Sequence, residues 1–242
     1  MTKTTNTALT IVSANIDINN NGGTYANKTS SGMVKLLLED SPTFIALQEA
    51  GGERELSSKQ FAKKLETLLK LEGYDVIYPQ SDWSYSVSTR LFYKSDYVKF
   101  IKELTPVYDN FYCRQCGSLF LINNQTIAVY SLHFPLYEKH PTDKEQMWDK
   151  YIQFASQASK NKGHEVILAG DFNESLINKT TLSHKLSNLE QYMIDASTND
   201  ITFEKTKRKL DHIFTTFSTI GECKTIDNPY SDHKMLITNI LI

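Results

Sequence analysis

Short apolar runs recur along the 242-residue chain and predict a domain rich in β-strands. Several of these runs are apolar at nearly every position, which is typical of strands that are covered on both faces. The predicted strands are 9–16, 44–47, 74–78, 89–93, 118–122, 127–132, 165–169, 210–214 and 235–241.

Amphipathic helical segments lie between these strands. Apolar residues recur at helical spacing within 32–39, 61–69 and 142–155. In the last segment Thr142 is followed by Glu145, the order of a helix-capping box. Strands mixed with helices in this way predict a layered α/β domain. The Asn/Gly/Thr-rich segment 19–31 is predicted to be a loop rather than a linker, so we expect one domain over 1–242.

Polar side chains with catalytic chemistry stand where many of these strands end. A single polar strand end has an ordinary structural explanation, since Asp-x-Asn after a strand is usually a turn and Ser-Asp-His is often a helix cap. Repetition favours a shared site, because strand ends in α/β layers commonly open into a ligand crevice. Carboxylates, amides and imidazoles suit a hard cation together with acid–base chemistry. The residues are Asn15, Asp17, Gln48, Glu49, His133, Asp171, Asn173, Asp211, His212, Asp232 and His233.

Composition narrows the function only slightly. With 40% hydrophobic and 22% charged residues, the chain is globular rather than disordered. Its 26 Lys and Arg against 28 Asp and Glu give a net charge of −2, which argues against a protein that coats nucleic acid. A local basic run remains, formed by Lys205, Lys207, Arg208 and Lys209. It is either a phosphate-binding segment or a solvated hairpin.

In their order along the chain, the strand-end residues resemble the endonuclease/exonuclease/phosphatase superfamily, from residue 9 to the C-terminus. Two positions depart from the family pattern. Ala14 stands where Trp is frequent, and His212 stands where Tyr is usual, so we expect a structural role for His212. The matching segments are Ser13-Ala14-Asn15-Ile16-Asp17, Leu47-Gln48-Glu49, Ser131-Leu132-His133, Gly170-Asp171-Phe172-Asn173, Leu210-Asp211-His212-Ile213-Phe214 and Ser231-Asp232-His233.

The resemblance implies a four-layer α/β/β/α sandwich, with two mixed β-sheets face to face and helices outside. It also implies a divalent cation, Mg²⁺ with Mn²⁺ as a substitute, at one end of the sheets. Glu49 would be the principal metal ligand, helped by Asn15 and Asp232. One carboxylate with helpers is enough, because Mg²⁺ keeps several of its waters.

The remaining matched residues would carry the catalytic roles. Asp171 or His233 would take the proton of the attacking water, and Asn173 would orient that water or a phosphate oxygen. Asp211 would brace the ring of His233. His133 would donate to the phosphate or the leaving oxygen. The resemblance does not apportion the acid and base roles among Asp171, His133 and His233.

The predicted activity is metal-dependent phosphodiester hydrolysis, with a nuclease acting on DNA as the leading interpretation. The alternatives are a phosphatase or phosphodiesterase for a small-molecule or lipid ester, such as an inositol phosphate or sphingomyelin, and a non-enzymatic binder. Specificity is expected from the loops 19–31, 80–88 and 108–117. The residues expected to bind substrate phosphate are Arg90, Arg114, Lys207 and Arg208, because guanidinium and ammonium groups capture phosphate.

Aromatic residues in the predicted loops have two explanations. Trp83, Tyr85 and Tyr112 either stack on unpaired bases or pack in the core. The cysteines also leave alternatives open. Cys113 and Cys116 have the Cys-x-x-Cys spacing of a zinc half-site, a redox pair or a small disulfide, although free thiols fit better without a second ligand pair.

The N-terminal sequence contains no apolar run long enough for a signal peptide, and no apolar run elsewhere in the chain is long enough to span a membrane. We therefore expect a cytoplasmic enzyme. Nothing in the sequence indicates an obligate protein partner.

Overall fold

The computed structural model describes residues 8–18, 28–52, 56–160 and 163–242. In this part of the chain the helices are α1 (Ser30–Leu37), α2 (Leu56–Leu71), α3 (Pro141–Lys160) and α4 (Ser183–Leu189), with a short 3-10 helix at Tyr112–Arg114. The strands are β1 (Ala8–Asn15), β2 (Phe44–Gln48), β3 (Tyr74–Ile77), β4 (Arg90–Lys94), β5 (Lys99–Glu103), β6 (Gln115–Ile122), β7 (Gln125–His133), β8 (Glu165–Asp171), β9 (Ile194–Asp195), β10 (Asp211–Thr215), β11 (Ile220–Ile226) and β12 (Met235–Leu241).

The strands form two six-stranded sheets. The first has the order β11-β12-β1-β2-β4-β3 and the second the order β5-β6-β7-β8-β10-β9. Each sheet is mixed, with one central parallel pair, β1 with β2 and β7 with β8, and antiparallel neighbours elsewhere. The carboxyl ends of the parallel strands therefore reach one end of each sheet, where the candidate residues stand.

Three apolar clusters hold the layers together. The sheets pack face to face over a cluster that includes Phe44, Phe120 and Ile167. α1 and α2 cover the outer face of the first sheet, and α3 and α4 cover the outer face of the second. The central strands are thus buried on both faces, which explains their nearly continuous apolar sequence. The predicted four-layer α/β/β/α sandwich is confirmed.

The structure also contains elements that the hydrophobic pattern did not predict. β5, β9 and β11 form edges of the sheets, where one side has no strand neighbour and polar residues are tolerated. Every residue of β5 is exposed, and β9 has only two residues. α4 is a fourth unpredicted element, with seven residues.

Several predicted boundaries were wrong. β6 begins at Gln115 and a 3-10 helix precedes it, so the predicted loop 108–117 is partly regular structure. α1 begins at Ser30, after Thr29, whose side chain accepts a hydrogen bond from the amide of Gly32. α3 begins at Pro141, so Thr142 lies inside the first turn and not at the cap. The rest of the predicted loop 19–31 lies mostly outside the described residues.

Two further features bear on the predictions. Cys113 and Cys116 are buried, and neither they nor Cys223 form a disulfide. Among the described helices, none combines the length and apolar character that a membrane span needs.

Candidate active site

A cleft of about 610 Å³ opens at the end of the two sheets where the parallel strands finish. Its lining includes Asp17 and Glu49 from the first sheet and His133 and Asp171 from the second. The segment before β12 adds Asp232 and His233 to the same cleft. Most of the strand-end residues singled out in the sequence therefore meet in one place.

Asn15 joins the two sheets at the floor of the cleft. It ends β1, and its Nδ2 donates to Glu49 Oε1 at 3.3 Å and to Asp171 Oδ2 at 3.1 Å. Glu49 directly follows β2 in a left-handed backbone conformation with φ of 51°, which turns it out of the strand. Burial and the charge of Asp17 raise the pKa of Glu49 to about 7, although the hydrogen bond from Asn15 opposes the rise.

Strand register brings the residues of the second sheet together. His133 on β7 and Asp211 on β10 are both direct partners of Asp171 on β8. Gly170 permits this close pairing, because a Cβ atom at that position would lie 1.9 Å from the carbonyl oxygen of Leu132. Any side chain there would push β7 and β8 apart.

His133 is oriented by the backbone. Its Nδ1 lies 3.1 Å from the carbonyl oxygen of Val87, so the ring donates from Nδ1. Nε2 faces the carboxylates of Glu49 and Asp171, at 3.8 and 3.7 Å. Burial, together with the nearby charge of Arg114, lowers the pKa of His133 well below its ordinary value. The ring is therefore neutral and directs its Nε2 lone pair towards the cleft carboxylates.

His233 has the opposite electrostatic character. Its Nδ1 donates to Asp211 Oδ2 at 2.9 Å, and its Nε2 lies 3.9 Å from Asp171 Oδ2. Burial alone would lower the pKa of His233, but Asp211, Asp171 and Asp232 outweigh burial and raise it to about 10. Burial also raises the pKa of Asp171, to about 6, while the charge of His233 opposes that rise. His233 is thus protonated beside a carboxylate that exchanges its proton near neutrality.

The cleft fits a hard divalent cation. The carboxylates of Asp17, Glu49, Asp171 and Asp232 line it, and Asp211 Oδ1 is buried without a hydrogen-bond partner in the described part of the chain. Donor atoms of Asp171, Asp211 and His233 also lie within 4.8 Å of one another, but the protonated His233 ring donates to Asp211, so only the two carboxylates of that group could act as ligands. Glu49 faces the same cleft, where burial and then the neighbouring carboxylates of Asp17 and Asp171 raise its pKa, so a positive charge bound there would be stabilised. Oxygen donors of this kind are the preferred ligands of Mg²⁺ and Mn²⁺. Asp232 lines the cleft while its Oδ2 pairs with Lys205 at 2.6 Å.

Asn173 sits at the turn that follows β8. Its φ is 52°, and its amide donates to Asp171 Oδ1 at 2.9 Å, which closes a tight turn over the carboxylate. Its side-chain Nδ2 donates to the carbonyl oxygen of Phe134 at 2.9 Å. Asn173 also lines the cleft.

The four residues of the basic run have different environments. Lys205 pairs with Asp232, and Lys207 pairs with Glu204 at the surface. Lys209 is buried, and its Nζ lies 2.7 Å from Asp195 Oδ2. Arg208 lines the cleft, and its Nε donates to the carbonyl oxygen of Asn178 at 2.8 Å. Of the residues predicted to bind phosphate, Arg114 and Arg208 line the cleft and Lys207 does not.

The prediction that Arg90 binds substrate phosphate is not supported by its position. Its side chain is 2% exposed, and its Nε pairs with Glu66 at 3.0 Å. Its two remaining nitrogens donate to the backbone oxygens of Thr89 and Trp83. Arg90 therefore braces the loop before β4 from inside, and its guanidinium has no access to the cleft.

The three candidate aromatics are surface residues. Trp83, Tyr85 and Tyr112 are 56%, 42% and 38% exposed, which is incompatible with core packing. Trp83 packs edge-on against Tyr78, with ring centres 5.7 Å apart.

Sequence reasoning overlooked other residues of the cleft wall. Asp17 was visible at the end of a predicted strand but received no role. Lys144 and Glu174 form a buried ion pair at 2.5 Å, and both line the cleft. Lys179 also lines the cleft. Lys144 is a polar position within a helix and Lys179 lies in a loop, so no local pattern distinguishes them from surface lysines.

Comparison with known proteins places this geometry in a family. The model of the Endonuclease/Exonuclease/phosphatase family matches residues 12–233. D. rerio TDP2 complexed with a single-strand DNA product has a TM-score of 0.73 at 16% identity, covering 96% of this chain and 98% of the other. An AP endonuclease from Leishmania major has a TM-score of 0.68 at 12% identity, covering 97% and 88%. No curated protein sequence matches the chain significantly. At these identities the structural likeness establishes the fold alone.

Proposed function

Because the chain belongs to the endonuclease/exonuclease/phosphatase family, whose members are hydrolases of phosphate-ester bonds, we propose that it is a divalent-metal-dependent nuclease that cleaves phosphodiester bonds in DNA. The observation that carries this proposal is the meeting of Glu49, Asp171, His133 and His233 on one cleft floor. Their carboxylates fit a hard cation, and their two imidazoles differ in charge.

Glu49, Asn15 and Asp232 would hold the cation, and Asp17 stands beside them. When bound, the metal supplies Lewis-acid polarisation of the phosphate and stabilises negative charge in the transition state. Glu49 is the best placed of these ligands, because the hydrogen bond from Asn15 fixes one of its oxygens and leaves the other for the metal. Mg²⁺ is the proposed ion because it accepts oxygen donors, needs only one or two protein carboxylates and keeps several of its waters.

Asp171 and His233 divide the acid and base roles by their electrostatics. Asp171, with its pKa raised to about 6, accepts the proton of the attacking water, since it is ionised and still basic near neutral pH. His233, protonated and held by Asp211, stabilises the charge on the phosphate. His133 and Asn173 flank Asp171: His133 Nε2 accepts a hydrogen bond from the water and orients it, and the second Nδ2 hydrogen of Asn173 is free to donate to a phosphate oxygen.

Free positive charge along the cleft favours a polyanionic substrate. Arg114, Lys139, Lys179 and Arg208 line the cleft, and no carboxylate among the described residues forms an ion pair with any of them. Lys207, outside the cleft lining, is ion-paired instead. Unpaired guanidinium and ammonium groups are available for phosphate.

These cations stand on both sides of the catalytic floor. Arg114 directly precedes β6 and Arg208 comes shortly before β10, while β7 and β8 lie between those strands. Three interstrand steps correspond to about 14 Å. A nucleic-acid strand, which carries phosphates on each side of the cleaved bond, would contact both Arg114 and Arg208. The D. rerio TDP2 structure with its single-strand DNA product further supports a nucleic-acid substrate.

The test is hydrolysis of a substrate panel with Mg²⁺ or Mn²⁺, comparing plasmid, single-stranded DNA, abasic duplex, RNA and inositol phosphates. Asp171→Asn is the inactive variant, and Asp149→Asn, at an exposed ion pair with Lys185, is the matched control. We expect DNA cleavage that chelator and Asp171→Asn abolish and that Asp149→Asn retains. Phosphate release from inositol substrates alone would contradict the DNA assignment, and no hydrolysis of any substrate would contradict the whole proposal.

A further inference from the structure

A buried ion pair in the wall of the cleft has no role in the chemistry above. Lys144 on α3 and Glu174 after β8 have side chains that are each 1% exposed, and Lys144 Nζ lies 2.5 Å from Glu174 Oε1. Both belong to the wall of the cleft next to Asn173. The pair therefore touches the turn that carries a candidate catalytic side chain.

Lys144 holds the backbone of that turn. Its Nζ donates to the carbonyl oxygen of Asn173 at 2.8 Å. On the other side, Glu174 Oε2 accepts hydrogen bonds from the Leu182 amide at 3.0 Å and from the Thr180 hydroxyl. The Glu174 carbonyl oxygen lies 3.2 Å from His212 Nε2. The peptide group after Asn173 is thus anchored by a charged donor, and its neighbour is anchored by several groups.

The conformation of Asn173 needs such an anchor. Its φ of 52° lies in the left-handed region, which asparagine occupies more readily than other non-glycine residues, so this backbone angle alone does not fix the orientation of the side chain or of the peptide group that follows. The left-handed turn points the Asn173 side chain at the Phe134 carbonyl and places the residue on the cleft. If its carbonyl lost the ammonium donor, the peptide could rotate, and the side chain would leave this position.

Fold stability alone does not account for the pair. Taking a lysine and a glutamate out of water costs about as much as their attraction returns, and apolar replacements of buried pairs are often neutral or stabilising. A buried pair whose ammonium donates to one specific carbonyl oxygen does fix the position of that carbonyl, because a hydrogen bond from a charged donor is strong. We propose that Lys144, with Glu174 as its counter-ion, is a positioning residue that holds Asn173 in the orientation needed for phosphodiester hydrolysis. The proposal rests on the proposed function, in which Asn173 orients water and phosphate.

The test uses a double variant, since Lys144→Met alone leaves a buried carboxylate unpaired and can prevent folding. Lys144→Met/Glu174→Gln removes both charges, and the Gln oxygen still accepts from Leu182 and Thr180. We expect a melting temperature near that of the wild type, with kcat lowered by about 10- to 100-fold and KM little changed. Lys144→Arg, which keeps a charged donor, should recover most of the lost kcat.

A second readout does not depend on activity. In protein labelled with ¹⁵N at asparagine, the Asn173 side-chain amide should exchange slowly with solvent because it donates to Phe134. Asn173→Asp identifies the signal by its disappearance. In the double variant we expect this amide to exchange as fast as that of a surface asparagine.

The matched control is Lys185→Met, which breaks an equally short ion pair with Asp149 between α3 and α4. It should leave kcat and the Asn173 amide unchanged. Wild-type kcat and a protected Asn173 amide in the folded double variant would overturn the positioning role. A wild-type protein that hydrolyses no phosphodiester would instead contradict the proposed function, and the amide exchange would still decide the role of Lys144.

Discussion

Two buried histidine–carboxylate pairs lie side by side at the start of β10, and they differ in what their rings face. His233 donates to Asp211 at 2.9 Å, and its other nitrogen faces Asp171 and the cleft at 3.9 Å. His212 contacts Asp195 at 2.8 Å, and its other nitrogen faces the Glu174 carbonyl at 3.2 Å. Both pairs have close contacts, but only the first leaves one ring nitrogen directed at the cleft.

The difference shows that a short histidine–carboxylate contact is not itself evidence of catalysis. We call the Asp195 group closed, because its carboxylate contacts two basic side chains, His212 and Lys209, and Lys209 Nζ lies 2.7 Å from it. The Asp211 group is open, since Asp171 and Asp232 add further negative charge around His233, and Lys205 offsets only that of Asp232. A closed group stabilises the fold, whereas an open group can exchange a proton or bind an ion. The expected structural role of His212 agrees with its closed environment.

The largest expected effect is the loss of kcat in His233→Ala. The variant should lower kcat for DNA cleavage by about 10²- to 10⁴-fold, because the charge that faces the phosphate is removed. The measurement is steady-state kinetics on protein whose fold is checked by circular dichroism. The exposed His184 supplies the control, since His184→Ala should retain wild-type kcat. A folded His233→Ala with wild-type turnover would remove the distinction between the two pairs.

His212→Ala should have a stability effect instead. It leaves Asp195 with Lys209 as its remaining charged partner and removes the contact to Glu174, so we expect a loss of about 3 kcal/mol in the free energy of unfolding. Urea titration measures that loss. At temperatures where the variant is folded, kcat should fall far less than in His233→Ala. A drop in kcat as large as that of His233→Ala would show that the closed group takes part in catalysis.

The two groups should also act on opposite sides of the pH scale. His233 has a pKa of about 10 in the folded protein against 6.5 unfolded, so its contribution to stability is complete below 6.5 and is lost as pH rises towards 10. Burial favours a higher pKa for Asp195, but His212 and Lys209 outweigh burial and hold it below the ordinary 3.8. Its contribution is present above 3.8 and is lost as pH falls below that value.

Urea titrations of the metal-free protein at pH 2–10 measure both losses. His233→Gln should flatten the alkaline side and also alter the curve near pH 6, because His233 lowers the pKa of Asp171, while Asp195→Asn should flatten only the part below pH 3.8. Equal flattening of both sides by one variant would mean that the groups titrate as a single unit.

The sequence allowed the open group to be predicted and not the closed one, for a physical reason. Asp171, Asp211 and His233 follow or precede apolar strands, and strand ends of an α/β layer converge whatever the loops do. Asp195 lies on a two-residue strand and Lys209 within an exposed-looking basic run, so neither has a local pattern. Arg90 shows the same limit, because its contact with Glu66 depends on the packing of α2 against the sheet.

The smallest predicted effect is the stabilisation by metal, which tests whether a cation binds only on the open side. A cation at ten times its Kd should add about 1.4 kcal/mol to the free energy of unfolding, because it binds the folded state alone. Thermal unfolding with and without Mn²⁺ measures the shift in wild type, Glu49→Gln and His212→Ala. We expect Glu49→Gln to lose the shift, since it removes a charged ligand from the cleft, and His212→Ala to keep it from a lower starting Tm. If His212→Ala lost the shift and Glu49→Gln kept it, the cation would bind at the Asp195 group, and the open and closed assignments would be reversed.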